Sequence, residues 1–166
     1  PENGRLRDVT VLSSLSEEEL GALASAITWI EVTPDQEVVS HLNNGAQVYF
    51  VIEGEFRTMM TTPYGRAVAI GQLTAGSHFG EIAALTGAPR SLSVVANTAG
   101  LVAECPADAF LNAMRRNAGF AEAVAASLAR RVVLLTDRLF ELAVLEMRFR
   151  VYSELLRLAR GGDSRP

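Results

Sequence analysis

Cysteine and histidine are scarce in this sequence. Cys105 is the only cysteine among 166 residues, which excludes an internal disulfide, a cysteine-based zinc site and a cysteine-ligated iron–sulfur cluster. Lone cysteines are most often buried, so we expect Cys105 in the core. The two histidines, His41 and His78, are far apart, and no pair of nucleophile and general base stands out. We therefore predict that the chain is not an enzyme, with no catalytic residue, no metal ligand and no cofactor.

Basic residues are not in excess, and long hydrophobic runs are missing. The formal net charge is −4, whereas nucleic-acid-binding modules need a basic face to neutralise phosphates. No apolar run approaches the roughly 18 to 20 residues that span a bilayer, and the N-terminus lacks a secretory signal pattern. We predict a cytoplasmic protein that contacts no membrane and contacts DNA only through a domain absent from this chain. The start at Pro1 instead of Met indicates a trimmed piece.

The composition and the pattern of apolar residues predict an α+β fold that is mainly β. Apolar residues make up 49% of the sequence and charged residues 20%, the balance of a globular protein. Ser16 followed by Glu19 has the form of a capping box, which predicts an N-terminal helix of about three turns. From Thr28 to Ala103, short segments rich in β-branched and aromatic residues alternate with turn signals. Such spacing predicts an antiparallel β-roll or jelly roll.

One hairpin is predicted within the β-roll. Val48 to Ile52 is the most apolar strand, and Phe56 to Met59 follows it across Glu53-Gly54-Glu55. Two apolar segments joined by so short a turn predict a tight antiparallel pair.

The sequence is helical from Pro106 onward, with an interruption near Asn117 to Gly119 and a separate short helix over Arg148 to Arg160. Within this region apolar residues are spaced four, three, four and three apart: Leu128, Val132, Leu135, Leu139 and Leu142. In a parallel pair these side chains would interlock, which predicts a homodimer. The alternative is a helix packed on its own β-roll, because two heptads fall short of the ~3 to 4 of a confident coiled coil.

We divide the chain into three regions on this basis. They are a β-roll with flanking helices (1–116), a long dimerisation helix region (117–147), and a short helix and tail that begin a missing domain (148–166).

The stretch from Phe79 to Ser91 carries the chemistry. Gly80 permits close backbone approach, the next residues can form a short helical turn, and Arg90 and Ser91 then enter a strand. Free N–H groups at the start of such a turn, together with a charged arginine fork, suit a phosphate. Glu81 would repel a phosphate but can accept a hydrogen bond from a ribose 2′-OH, so the pattern indicates a nucleotide. The alternative is a surface ion pair between Glu81 and Arg90.

The same stretch resembles the phosphate-binding cassette of the cyclic-nucleotide-binding domain family. Its pattern runs Phe-Gly-Glu, Leu or Ile, Ala-x-Leu-x-x-x-Pro-Arg, then Ala, Ser or Thr, and thirteen consecutive positions of this sequence match it. The resemblance implies that Gly80 and Ile82 offer backbone to the nucleotide. It also implies that Glu81 holds the ribose hydroxyl and that Arg90 with Ser91 binds the cyclic phosphate.

The order of β-roll, long helix and short final helix resembles the Crp/Fnr transcription regulators, which would make the chain a sensor lacking the helix-turn-helix domain. The resemblance implies that Ile70 lies in the apolar wall beside the base, with Thr58 as a further candidate. It also implies that Arg131, Leu135 and Thr136 meet the base from the long helix of a dimer. Leu135 departs from the family, because a polar residue contacts adenine at that position in the enterobacterial cAMP receptor.

The expected ligand is cAMP, on the frequency of that ligand in the family. Thr136 and Ser91 leave cGMP open, because a hydroxyl can donate to or accept from either base. Cyclic di-GMP on the same fold, or a dimerisation module without ligand, are further alternatives. A cupin enzyme would need several histidines and a carboxylate around a metal, and haem-sensing or cluster-sensing regulators use ligands that this chain lacks.

Overall fold

The computed structural model describes residues 2–61 and 66–161. The chain forms two compact units, Pro1–Val124 and Ala125–Pro166. Among the described residues, the first unit holds eight strands and the start of the last helix, and the second holds the rest of that helix. The predicted boundaries at 116 and 147 remain predictions.

The first unit is an antiparallel β-sandwich, which confirms the predicted fold class. The strands are β1 (Thr28–Val32), β2 (Glu37–Val39), β3 (Val48–Glu53), β4 (Glu55–Thr61), β5 (Ala67–Thr74), β6 (His78–Phe79), β7 (Ser93–Ala96) and β8 (Gly100–Cys105). One sheet has the order β1-β8-β3-β6 and the other β2-β7-β4-β5. Strands that are consecutive in the sequence therefore often lie in different sheets.

The predicted hairpin at Gly54 is wrong. β3 pairs with β6 and β8, whereas β4 pairs with β5 and β7. The turn at Gly54 instead carries the chain from one sheet to the other, with a φ of 92° that favours glycine. The error has a physical cause, because a short turn between apolar strands suits a sandwich corner as well as a hairpin.

The core lies between the two sheets. It is formed by buried apolar residues from both: Val32, Val39, Tyr49, Val51, Phe56, Phe79, Val94, Ala96 and Val102. β3 is buried on both faces, because Phe50 on its other face packs toward Phe110, which meets Phe120 edge to face. Cys105 is fully buried, as predicted, and burial raises the pKa of its thiol to about 12.

Four α-helices flank and follow the sandwich: α1 (Glu17–Ala24), α2 (Glu81–Thr86), α3 (Ala107–Arg116) and α4 (Ala118–Gly161). Two short 3-10 helices, Glu2–Asp8 and Thr10–Leu12, precede α1. The predicted capping box is confirmed, since Ser16 Oγ accepts from Glu19 N and Ser16 N donates to Glu19 Oε2. α1 is nevertheless eight residues long, shorter than the three turns predicted.

Asn117 separates α3 from α4, where the sequence predicted an interruption. Its Oδ1 accepts from Phe120 N, and its Nδ2 donates to Glu19 Oε2. Asn117 thus caps α4 and joins it to the capping box of α1. Hydrogen bonds from the Ser16 backbone and from Asn117 lower the pKa of Glu19.

α4 runs without a break from Ala118 to Gly161. The separate helix predicted over Arg148 to Arg160 is therefore wrong. The reason lies in the sequence, because no glycine or proline occurs between Phe120 and Arg160 to end the helix. The predicted tail after Gly161 lies outside the described residues.

Candidate functional site

The cassette folds around a short helix, as predicted. β6 ends at Phe79, Gly80 adopts a φ of 89°, and α2 follows from Glu81 to Thr86 before Gly87 closes it at a φ of 69°. One detail differs from the prediction, because β7 begins only at Ser93. Arg90 and Ser91 therefore lie in the irregular segment before the strand and not within it.

Arg90 is a buried cation at the centre of the site. Its side chain is 3% exposed, with Nη1 donating to the carbonyl of Gly80 and Nη2 to Oε1 of Gln47, both at 3.2 Å. The guanidinium also lies over the ring of Tyr49, 5.7 Å from its centroid. Burial lowers the pKa of Arg90, opposed by Tyr49, Glu104 and Glu81. The Gly80 carbonyl and the Gln47 amide, which accept these two hydrogen bonds, are uncharged.

The absence of a side chain at Gly80 leaves space for the Arg90 guanidinium. A Cβ at this position would lie 2.6 Å from Arg90 Nη1 and 2.6 Å from the carbonyl oxygen of Gln47. The positive φ of Gly80 adds a conformational reason for glycine. A side chain here would therefore displace the arginine fork.

Glu81 is the first residue of α2 and is 1% exposed. Because Glu81 and Arg90 are both buried, the surface ion pair considered from the sequence is not what the structure shows. A buried carboxylate is costly unless it interacts with polar or charged groups, and Arg90 is one of the charges that acts on it. Ser91 is exposed, and Ile82 is 43% exposed beside Glu81.

Ile70 and Thr58 lie together in the second sheet. The register passes from Thr58↔Gly71 to Met59↔Ala69, so Ile70 is the extra residue of a bulge in β5. Thr58 donates its hydroxyl to the carbonyl of Gly71 at 3.3 Å. Both residues are half-buried, and their place beside a base remains a prediction.

The three predicted residues of the long helix lie in the second unit. Arg131 is half-buried, Leu135 is 49% exposed, and Thr136 donates its hydroxyl to the carbonyl of Val132 at 2.9 Å. The structure thus brings Gly80, Glu81 and Arg90 together within the first unit. The part of the helix positions in the site remains a prediction.

The sequence analysis did not identify two residues that contact the Arg90 guanidinium, Gln47 and Tyr49. Gln47 was not singled out, although a polar residue directly before the most apolar strand was a usable signal. Tyr49 was assigned to that strand alone. Its ring stacks on Phe79 at 4.9 Å and supports the guanidinium, and burial and a hydrogen bond to Glu104 raise the pKa of Tyr49 to about 12.

The described residues also bear on metal binding and on membrane insertion. Among residues 2–61 and 66–161, no three His, Cys, Asp or Glu side chains are grouped so that they could hold a metal ion. None of the helices described is both long enough and apolar enough to cross a membrane. His78 is 3% exposed and lies in β6.

Comparison with known proteins identifies the family. The profile described as "Cyclic nucleotide-binding domain" matches residues 29–117, more than half of the chain. The chain belongs to the cyclic nucleotide-binding domain family. The matched region contains both sheets except Thr28, the first residue of β1, and the whole cassette from Phe79 to Ser91.

Relatives of two kinds share this domain. A cAMP-dependent protein kinase regulatory subunit of Yarrowia lipolytica is 34% identical over 108 residues, covering 65% of this chain and 28% of that protein. The cAMP-activated global transcriptional regulator CRP of Escherichia coli O6:H1 is 26% identical over 133 residues, covering 79% of this chain and 63% of that protein. The chain thus spans less than two thirds of either protein.

A solved structure shows the same architecture. The catabolite activator protein of Thermus thermophilus superposes with a TM-score of 0.78 at 28% sequence identity. The match covers 92% of this chain and 72% of that protein. Because it reaches beyond residue 124, it includes part of α4 as well as the β-sandwich.

Proposed function

We propose that this chain is the sensor part of a Crp/Fnr-type transcription regulator, that its ligand is cAMP, and that it is not an enzyme. The observation that carries the proposal is Arg90, a buried cation that donates to the neutral carbonyl of Gly80 and amide of Gln47 and whose charged form is favoured by Glu104 and Glu81. A buried charge is costly unless a partner compensates it. An anionic ligand would add to the compensation from Glu104 and Glu81, in the fork geometry that arginine favours.

Each cassette residue has a role in this proposal. Arg90 and Ser91 bind the cyclic phosphate, which the backbone of Gly80 and Ile82 also approaches. Glu81 accepts a hydrogen bond from the ribose 2′-OH, because an ionised carboxylate is a strong acceptor for a hydroxyl. This division places the Glu81 carboxylate at the ribose hydroxyl, away from the phosphate of like charge that Arg90 binds.

The long helix supports the Crp/Fnr assignment. The matches to CRP and to the catabolite activator protein cover 79% and 92% of this chain, against 65% for the kinase subunit. On α4, Val132, Leu139 and Leu142 are each more than 60% exposed in the single chain. An apolar row of this kind is favourably covered by a second copy, so the proposal includes a homodimer.

Recognition of the base is proposed to use residues outside the cassette. In the proposed dimer, Ile70 lies beside the base, and Arg131, Leu135 and Thr136 approach it from α4. A ligand that binds one conformation of the dimer more tightly than another shifts the population toward that conformation. That population shift is the proposed signal to a DNA-binding domain outside this chain.

A second candidate is a domain of a cAMP-dependent protein kinase regulatory subunit. It is favoured by the 34% identity to the Yarrowia lipolytica protein. The oligomeric state separates the two candidates, because only the Crp/Fnr proposal requires α4 to pair with a second copy.

Calorimetric titration with cAMP, cGMP and cyclic di-GMP tests the proposed ligand. The proposal predicts saturable binding of cAMP, with weaker or no binding of the other two. Tighter binding of cGMP would select the cGMP alternative on the same site. Absence of binding by all three nucleotides would contradict the proposed function.

A further inference from the structure

Glu104 is an acidic residue on the core-facing side of the sheet that contains β3. It lies in β8, directly opposite Tyr49 of β3, and is half-buried. Directly opposite residues of an antiparallel pair have their side chains on the same face of the sheet. Tyr49 belongs to the core between the two sheets, so the Glu104 side chain lies on that inner face as well.

Tyr49 connects Glu104 to Arg90. Its side chain is hydrogen-bonded to Glu104, with the phenol O–H as the donor and the carboxylate as the acceptor. The same ring is stacked on Phe79, and the guanidinium carbon of Arg90 lies 5.7 Å from its centroid. The Glu104 carboxylate is therefore held at the hydroxyl end of a ring that also contacts Arg90.

Three charged side chains meet at this place. Arg90 is positive, and Glu104 and Glu81 are the two carboxylates that favour its charged form. Arg90 and Glu81 are buried and Glu104 is half-buried, so their interactions are screened less than those of surface charges. The first negative charge of a ligand can pair with the Arg90 fork. A second would meet two carboxylates and no further cation among these three groups.

Phosphate groups differ in this second charge. The phosphodiester of a cyclic nucleotide carries one negative charge, whereas a phosphate monoester such as that of 5′-AMP carries about −1.5 to −2 at pH 7. In a partly buried site, repulsion between like charges is much stronger than in water. The additional charge of a monoester at the Arg90 fork would therefore be opposed by Glu104, across the width of the Tyr49 ring.

We propose that Glu104 is a specificity-determining residue, whose carboxylate, held by the Tyr49 hydroxyl, selects singly charged phosphodiesters over doubly charged phosphate monoesters at Arg90. This inference rests on the proposed function, because it presupposes that Arg90 binds the phosphate of the ligand. It makes ligand charge a criterion of selection beside ligand shape, and it assigns that criterion to a residue outside the cassette.

Three adenine nucleotides separate charge from ring closure. cAMP is cyclic and singly charged, 5′-AMP is open and doubly charged, and the methyl ester of 5′-AMP is open and singly charged. The quantity to measure is the ratio of the affinities for the methyl ester and for 5′-AMP, by competition against cAMP. Wild type is compared with Glu104→Gln, in which the amide has a similar size and can still accept the hydrogen bond from Tyr49.

Glu31→Gln is the matched control, because it removes the same charge from a neighbouring strand. Glu31 is exposed in β1. It lies between Ile30 and Val32, which pack in the core, so its side chain is on the opposite face of the strand.

We expect wild type to prefer the methyl ester over 5′-AMP. In Glu104→Gln this preference should shrink about 5- to 20-fold, the effect of one additional charge at this range in a partly buried site. The variant should bind cAMP at least as tightly as wild type, because a like charge has been removed. Glu31→Gln should leave both quantities unchanged. A merely structural role of Glu104 would weaken the three nucleotides equally and leave the ratio unchanged.

Three outcomes would overturn the inference. If wild type binds cAMP and the ratio in Glu104→Gln stays within about twofold of the wild-type ratio, Glu104 does not select by charge, and the proposed function stands. Weaker binding of cAMP by Glu104→Gln would show that the carboxylate supports the ligand instead of opposing a second charge, and the proposed function would again stand. If wild type binds none of the three nucleotides, the proposed function fails and this inference fails with it.

Discussion

Gly80 leaves space for the Arg90 guanidinium, because it has no Cβ. Gly80 and Gly87 both have positive φ, at 89° and 69°. A Cβ at Gly80 would meet Arg90 and the Gln47 carbonyl at 2.6 Å, whereas a Cβ at Gly87 would meet nothing within 4 Å. The two glycines therefore share conformational strain on substitution but differ in steric consequence.

Substitution of the two glycines separates these effects. Gly80→Ala and Gly87→Ala should each lose roughly 1 to 2 kcal/mol of stability to the left-handed backbone. Only Gly80→Ala should also weaken cAMP binding, by about tenfold or more, because the Arg90 fork is displaced. Thermal melting and calorimetric titration measure the two quantities. Equal affinities for the two variants would show that Gly80 does not shape the binding site.

Glu81 is expected to recognise the ribose hydroxyl. In the wild type, cAMP should bind about tenfold tighter than 2′-deoxy-cAMP, as expected for one hydrogen bond to a charged acceptor. In Glu81→Gln the neutral amide is a weaker acceptor of similar size, so this preference should shrink. Competition titrations with both nucleotides measure the preference. An unchanged preference in the variant would assign the hydroxyl to another residue.

Among the elements, the junction of α3 and α4 depends on Asn117, which caps α4 and contacts Glu19. Asn117→Ala should lower the free energy of unfolding by about 1 kcal/mol, the usual cost of an N-cap. Asn112→Ala is the control, because Asn112 is exposed within α3, where alanine has the higher helix propensity. Chemical denaturation compares them, and an equal effect of both changes would exclude a capping role.

α4 is predicted to form the dimer interface through its heptad positions. Leu139 and Leu134 are similarly exposed in the single chain, at 67% and 62%, but only Leu139 belongs to the row of Leu128, Val132, Leu135, Leu139 and Leu142. Leu139→Glu should raise the dimer dissociation constant about a hundredfold or more, since two buried leucines are replaced by charges. Leu134→Glu should leave it near the wild-type value.

Sedimentation or light scattering over a range of concentrations measures this equilibrium. A wild-type chain that stays monomeric at high concentration, with and without cAMP, would contradict the dimer. Disruption by Leu134→Glu as strong as by Leu139→Glu would place the interface on another face of α4.

The elements differ in how far the sequence predicts them. The cassette was predictable because its glycines, helix and arginine are close in sequence and each has a local requirement. The pairing of β3 was not, because its partners β6 and β8 lie far along the chain and a turn at Gly54 suits either topology. The absence of glycine and proline between Phe120 and Arg160 is a local signal for the unbroken α4. The prediction of a separate final helix did not use that signal.

At the scale of the whole molecule, the site consists of segments that are far apart in the sequence and that contact Arg90 in the fold. Gln47 and Tyr49 come from the loop and strand some 40 residues before it, and the contact with Gln47 depends on side-chain placement. Sequence periodicity contains no information on such contacts. The sequence therefore predicted the short helix of the cassette and brought Gly80, Glu81 and Arg90 to attention, but it did not predict that Gln47 and Tyr49 contact Arg90.

The central claim is that Arg90 binds the phosphate of a cyclic nucleotide, and titration of wild type and Arg90→Leu with cAMP tests it most directly. Loss of the charge should leave the ligand phosphate without its buried partner, a cost of roughly 3 to 5 kcal/mol, or about a hundredfold to a few thousandfold in affinity. Arg90→Lys should recover only part of this, because an ammonium cannot reproduce the fork. If Arg90→Leu binds cAMP within about threefold of wild type, the account of this site is wrong.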